Sequence, residues 1–485
     1  MALRSIIASA LLLTGAVSGD CSNKLAVSYP APVAAQGWSY QLVANGFTKP
    51  RGIQFDKDGG LLVIDAGAGL VHLSLKDDGN TCVSVDKKTT LLASRELNHG
   101  IALTEDGKTL YASSADKVYE WTYDSKTVTL GDANRTIVTN MSNSDHTTRT
   151  LLLSRKKPGI LLVSRGSQSN EDSNAEDLDS GHSQIRSFDL SQLGSGSGSG
   201  SSSSSSSSSV TPYAYLDGHV IGWGLRNSVG VAEDPSSGGL WSVENSVDQL
   251  HRKGRDIHQD NPAEELNYHG TVGQDDDGGG GNNSNNNKTQ GGNYGYPVCY
   301  AIWSPDNFPD LGALTTASQF PDDDAPGNVT DAACNDDYVA PRLAFQAHTA
   351  PLDIKFDADG AYAYISFHGS WNREAPVGYR IARVAFKDGQ PAAARDSMDA
   401  AVDVLATKDL SNCPDRCFRP VGLAWDDKGR LWFSSDSTGE IFVMQHDGSS
   451  GGGGNGKDGK SVAGRRAPEL VVVAFVVTAV AAFLS

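Results

Sequence analysis

The sequence predicts an all-β, six-bladed β-propeller of four-stranded antiparallel blades, on three observations. Glycine is abundant and methionine scarce, 53 against 4 in 485 residues, a turn-rich bias that argues against a helical protein. One pattern recurs six times: a short apolar strand, a glycine turn, a second apolar strand and then a third. An unpaired apolar strand, Trp38 to Ala44, stands before the first repeat, while the last repeat runs out at Met444. The N-terminal strand therefore completes the last blade and leaves no sheet edge open.

The repeats follow in chain order. Arg51-Gly-Ile-Gln-Phe leads to Gly60-Leu-Leu-Val-Ile, His99-Gly-Ile-Ala-Leu to Gly107-Lys-Thr-Leu-Tyr, and Arg149-Thr-Leu-Leu-Leu to Gly159-Ile-Leu-Leu-Val. Val229-Gly-Val-Ala-Glu leads to Gly239-Leu-Trp-Ser-Val, Leu352-Asp-Ile-Lys-Phe to Gly360-Ala-Tyr-Ala-Tyr, and Val421-Gly-Leu-Ala-Trp to Gly429-Arg-Leu-Trp-Phe. Third strands are expected at Val71, Val118, Ile185, Leu250, Ile381 and Ile441. Trp241, inside a strand, is expected in the core.

Around this domain, residues 20–447, lie segments of other character. Arg4, the apolar run Ile6 to Leu13 and the small residues Ala16, Ser18 and Gly19 read as a signal peptide over residues 1–19. A flexible linker, residues 448–469, precedes an apolar tail over residues 470–485, the pattern of a glycolipid (GPI) anchor signal. The tail is short for a bilayer-spanning helix. Two polar tracts, a Ser-rich loop at 194–209 and a Gly/Asn-rich loop at 275–292, interrupt the blades as surface loops. Sequons begin at Asn134, Asn140, Asn282, Asn287 and Asn328. Six cysteines in such a chain suggest up to three disulfides, with Cys413–Cys417 and Cys299–Cys334 as candidate pairs and the connectivity open. The expected location is extracellular, at the plasma membrane or cell wall, held there only through the lipid anchor. A net charge of −18 excludes nucleic acid as a natural partner.

Strand direction sorts residues by face. In an antiparallel meander the start of the first strand and the end of the second share one side. One set thus holds Arg51, His99, Arg149, Arg226 with Asn227, His348 and Arg419; the other holds Asp65, Arg165, Glu244 to Asp248, His368-Gly-Ser-Trp-Asn-Arg373 and Asp436. For any single arginine, pairing with an acidic neighbour is the plainer explanation. Gathered at one channel mouth of an acidic protein, the set favours an anionic ligand.

The motifs His99-Gly-Ile-Ala-Leu, Gly224-Leu-Arg-Asn-Ser, Trp241-Ser-Val-Glu-Asn-Ser-Val-Asp248, Glu265-Leu-Asn267, Gly292-Asn-Tyr-Gly-Tyr-Pro297 and Phe367-His-Gly-Ser-Trp-Asn-Arg373 come in an order that resembles the quinoprotein sugar dehydrogenases. That family comprises soluble glucose dehydrogenase, L-sorbosone dehydrogenase and the fungal pyranose dehydrogenases. The resemblance spans Trp38 to Met444 and implies an oxidoreductase with pyrroloquinoline quinone (PQQ) and calcium. A sugar hydroxyl would be oxidised by hydride transfer to the quinone, and the electrons passed to an external acceptor, a quinone or a redox protein. Arg51, Arg226, Arg373 and Arg419 are the expected clamps for the cofactor carboxylates, with Asn227 adding hydrogen bonds and Trp371 stacking on the quinone or sugar plane. The backbone carbonyls of Ser246 and Val247 match the family's calcium ligands. His99 matches its catalytic base, and His368, on the same face, is the second candidate. Two further function classes stand beside this one. A calcium-dependent sugar lactonase would use Glu244 and Asp248 as metal-directed carboxylates, and a non-catalytic surface propeller would only bind.

Overall fold

The structure, a computed structural model, describes residues 21–193, 211–273, 290–325 and 327–448. The signal segment, the Ser-rich tract from residue 194 on, most of the Gly/Asn-rich loop and the linker and tail from residue 449 lie outside the described residues. Six antiparallel sheets of the expected kind surround one axis. Blade 1 is Pro50–Phe55, Leu61–Asp65, Gly69–Asp77 and Val83–Ala93. Blades 2 and 3 begin with Ile101–Leu103 and Leu151–Leu153, and each gains an outer strand that pairs in parallel. Blades 4, 5 and 6 begin with Ser228–Glu233, Pro351–Phe356 and Pro420–Trp425. Trp38–Ala44 pairs antiparallel with Glu440–His446 and closes the ring, as the orphan strand required.

One third strand is not where the sequence puts it. In blade 4 that strand is Glu264–Thr271, paired with Gly239–Glu244, and Leu250 lies in an excursion before it. One face of the true strand buries Glu265, Asn267 and His269, so it lacks the apolar alternation of a strand. Leu250 is apolar for another reason, being packed with Val247, Tyr296 and Tyr300 beneath the excursion.

The glycine that recurs near the start of a first strand has a packing cause. A Cβ on Gly52 would stand 2.2 Å from the His99 carbonyl oxygen, and one on Gly422 would stand 2.3 Å from that of Arg51. Neighbouring inner strands thus approach to backbone distance only because the side chain is missing. A serine in the second strand fastens the same contact. Ser434 Oγ accepts from Gly422 N at 2.9 Å and donates to the Arg51 carbonyl at 2.6 Å. Ser113 does the same with Gly100 N and the Arg149 carbonyl, and Ser366 with Asp353 N and the Val421 carbonyl. The register between blades is therefore hydrogen-bonded, and it carries the residue beside each glycine to the mouth.

Between the sheets the core is aromatic and aliphatic. Trp241 is fully buried, as expected, and meets Phe386 edge-on at 5.0 Å. Phe433 stacks on Phe442 at 4.7 Å in blade 6. Three disulfides, Cys21–Cys82, Cys299–Cys334 and Cys413–Cys417, close the open pairing question. Among the described residues no helix is long and apolar enough to cross a membrane.

Candidate functional site

At one mouth of the channel two polar clusters meet. The first joins blades 1, 2, 5 and 6. Arg51 donates from Nη1 to Asp436 Oδ2 at 2.7 Å and from Nε to His99 Nδ1 at 3.3 Å. His368 Nε2 lies 2.8 Å from the other oxygen, Asp436 Oδ1. Arg419 donates to the His368 and Gly369 carbonyls and lies over the Tyr379 ring. Burial works to raise the Asp436 carboxyl, but His368 and Arg51 outweigh it and hold the group ionised, well below the usual carboxylate range. Burial pushes His368 down to about 4, and it pushes His99, beside the Arg51 guanidinium, well below the usual imidazole value. Both rings are neutral at pH 7.

The second cluster belongs to blade 4 and the loops above it. Arg226 is 3% exposed, and all five of its guanidinium N–H groups find protein acceptors. These are the Asn170 carbonyl and Asn170 Oδ1, the Asn245 and Ser246 carbonyls, and Asp248 Oδ2. No donor is left for a ligand carboxylate, so in this arrangement Arg226 braces the 245–248 segment instead of clamping a cofactor. Asn372 reaches across from the 368–373 loop to Asp248 and to His348 Nδ1, joining the two clusters.

The other arginines behave differently. Arg51 keeps Nη2 and Arg419 keeps Nη1 without a bond to any described residue. Arg373 binds the Ala375 carbonyl and Asp260, and its Nη1 is buried with no partner. The half-buried Asn227 side chain bonds to no described residue, and Trp371 is 67% exposed at the same mouth. Arg149 and Arg165 bond nearby carbonyls and Asn143, and Arg149 Nε is buried without a partner. Those two are held by neutral protein acceptors, with no acidic side chain among their bonded partners.

Beneath the second cluster lies a layer in which Glu244 and the Glu265-Leu-Asn267 motif meet Glu264, a residue the sequence did not single out. Glu244 and Glu265 are directly opposed across two strands, and Asn267 Nδ2 donates to both. Glu264 accepts from the Ser246 and Ala350 amides. Burial raises all three carboxyls, Glu264 to about 8, Glu265 to about 7, and Glu244 well above the usual glutamate value with Glu265 alongside. The carboxylates offered for a lactonase do not converge on a metal. Glu244 is buried against the Arg226 amide and Asp248 is paired to the Arg226 guanidinium. Among the described residues no three His, Cys, Asp or Glu side chains are placed to hold a metal ion. The expected calcium ligands are backbone oxygens. Ser246 O already accepts from Arg226 Nη1 at 2.6 Å, while Val247 O accepts from no described residue. Asn170, which holds Arg226 twice, carries no sequence signal, and Asn372 had one only through the motif around it.

The chain is a six-bladed propeller whose mouth gathers cationic donors around two neutral histidines. The chain belongs to the TrAA12-like family, whose model matches residues 32–447. It is 53% identical over 434 residues to a pyrroloquinoline quinone-dependent sugar dehydrogenase of Hypocrea jecorina (strain QM6a), covering 89% of this chain and 93% of that protein. A pyrroloquinoline quinone-dependent pyranose dehydrogenase of Coprinopsis cinerea is 37% identical over 427 residues, covering 85% of this chain and 54% of that longer protein. Among solved structures, a calcium structure of the Trichoderma reesei Carbohydrate-Active Enzymes Family AA12 superposes with a TM-score of 0.81 at 55% identity, over 88% of this chain and 99% of that one. The holo form of the PQQ domain of the Coprinopsis cinerea pyranose dehydrogenase gives 0.75 at 35% identity, over 86% and 98%.

Proposed function

We propose that this chain is a PQQ-dependent oxidoreductase that oxidises a sugar at the propeller mouth. One observation carries the reading: Arg51 and Arg419 each retain an unspent guanidinium nitrogen beside two neutral histidines, and Arg373 holds a further unpartnered one. PQQ is planar and bears three carboxylates. The open forks of Arg51 and Arg419, the unpartnered Arg373 nitrogen, the free Asn227 amide and the exposed Trp371 ring suit it in charge and shape. When bound, the quinone supplies the two-electron acceptor for a hydride leaving the sugar carbinol carbon. The protein's own share is to hold the cofactor by its carboxylates, to orient the sugar and to receive the hydroxyl proton.

Calcium fits the oxygen-only donor set of the Ser246 and Val247 carbonyls, with Arg226 sharing the Ser246 oxygen and keeping that segment in place. The electrons pass on to an external acceptor, a quinone or a redox protein. The leader-like segment, the sequons, the three disulfides and the apolar tail support an anchored extracellular enzyme. The test is to titrate the purified chain with PQQ, with and without calcium, following the cofactor absorbance. Turnover is then measured on a panel of aldoses, 6-deoxysugars and osones with an artificial electron acceptor. Saturable PQQ binding with sugar-dependent reduction is expected. A chain that binds no PQQ in either condition refutes the proposal.

A further inference from the structure

The two histidines at the mouth are not equivalent, and their partners fix where each proton sits. An arginine guanidinium is always protonated and can only donate. His99 Nδ1, which faces Arg51 Nε at 3.3 Å, must therefore be the lone-pair nitrogen, and the single proton of the neutral ring lies on Nε2. An ionised carboxylate can only accept. His368 Nε2, at 2.8 Å from Asp436 Oδ1, must therefore carry its ring's proton, and the lone pair lies on Nδ1. Neither His99 Nε2 nor His368 Nδ1 bonds to any described residue, and neither is a buried orphan. Each ring thus offers one open nitrogen, and the two are opposite in kind.

We propose that His368, through Nδ1, takes the proton of the substrate hydroxyl, and that His99 serves the same site as an N–H donor through Nε2. This rests on the sugar-oxidising reading and reverses the role the family resemblance gives to His99. In the step, the substrate O–H bond breaks and a His368 Nδ1–H bond forms. The C–H bond breaks with its electron pair leaving as hydride to the bound quinone, and a C=O bond forms. The carbinol carbon is oxidised and the quinone is reduced by two electrons. The His368 imidazolium so produced lies against the Asp436 carboxylate, and its proton then passes to solvent. His99 cannot play this part as it stands, because its only lone pair is committed to a cation. Protonating that nitrogen would set two cations side by side. Asp436 is the positioning residue: one oxygen fixes the His368 tautomer, while the other holds Arg51, which fixes that of His99. The arrangement parallels any imidazole oriented by a carboxylate so that its far nitrogen faces the reaction. His368 is also the more open of the two to a substrate, being half-buried where His99 is buried.

Two measurements test this, and they fail separately from the functional reading. The first uses the cofactor-free full chain labelled with 15N-histidine, with resonances assigned by the His99→Gln and His368→Gln variants. His368 is expected to show a protonated Nε2 and a lone-pair Nδ1, and His99 the reverse. A His99 spectrum with the lone pair on Nε2 overturns the proposal whether or not PQQ binds. In Asp436→Asn the carboxylate's hold is lost and the His368 signals are expected to leave the single-tautomer pattern; an unchanged pattern means that Asp436 does not position the ring. The second uses PQQ-loaded protein with cofactor occupancy measured in each variant. His368→Gln is expected to lose about 100- to 10,000-fold in kcat, the usual worth of a placed base. His99→Gln keeps an N–H donor and should retain at least tenfold more kcat than His368→Gln. Equal losses, or the opposite order, refute the assignment. Should His368→Gln fail to fold, the wild-type spectrum and Asp436→Asn still decide. Absence of PQQ binding by the wild type refutes the function and leaves the tautomers to the spectrum.

Discussion

Arg226→Met is the most informative single change, because two readings of this arginine predict different results in the cofactor-free protein. If the guanidinium were held in reserve for a ligand, removing it would leave the empty fold as stable as before. In the structure it binds five acceptors and ties Asn170, Asn245, Ser246 and Asp248 together. Breaking a buried ion pair by removing one partner costs about 3–5 kcal/mol. The Asp248 side chain is 27% exposed, so water recovers part of that and the lower end, about 3 kcal/mol, is the better expectation. A domain spanning residues 32–447 has an unfolding entropy of about 0.9 kcal/mol/K, at ~2.1 cal/mol/K per residue. The expected fall in Tm is therefore about 3 °C, read by differential scanning fluorimetry at one fixed scan rate. Arg226→Lys keeps the charge but has three donors on a flexible stem, and it should fall between the two. A Tm within 1 °C of wild type for Arg226→Met, together with weakened PQQ binding, would refute the bracing role and return Arg226 to the cofactor.

Two further expectations concern the fold and its charge state. Leu42→Ala, in the closing strand opposite Phe442, should cost about 2–5 kcal/mol as a buried large-to-small change, measured by denaturant unfolding; a loss under 1 kcal/mol would mean that the closing strand does not share the blade 6 core. Stability of the cofactor-free chain should decline as the pH rises from about 7 to 8, above the range in which the buried histidines, protonated only when unfolded, work in the opposite sense. The folded protein still holds protons on Glu264 (about 8) and Glu265 (about 7), which the unfolded chain has already released near its ordinary glutamate value of about 4.3. With more protons bound when folded, each raise in pH favours unfolding, by about 1.4 kcal/mol per pH unit for each carboxyl still protonated. A flat urea-unfolding profile across that range would show that these carboxyls are already ionised in the folded state.

The repeat and the face assignment were legible because both are local properties of the chain. A six-fold alternation of apolar strand and glycine turn needs no partner to be recognised, and antiparallel geometry then places strand starts and ends without coordinates. On that basis His99, His368, Arg51, Arg419 and Arg373 were assigned to one mouth; the first four lie in one hydrogen-bonded cluster, while Arg373 bonds Asp260 and the Ala375 carbonyl. Reading failed where a residue's character is set by burial instead of by period. Glu264–Thr271 buries a polar face and so looked unlike a strand, while Leu250 is apolar without belonging to one.

What the sequence by itself determined is the architecture, the ring closure and the set of side chains facing the channel, since strand periodicity and chain direction are written residue by residue. Tertiary structure alone decided which of those side chains are already spent. Asp436 lies 385 residues from Arg51 and 68 from His368, yet its two oxygens bind both. Arg226 and Arg373 look alike in the sequence, but one has every donor satisfied and the other has a buried nitrogen with none. The physical reason is that a hydrogen-bonding group has a fixed number of donors and acceptors, and which of them remain for a ligand depends on neighbours supplied by other blades.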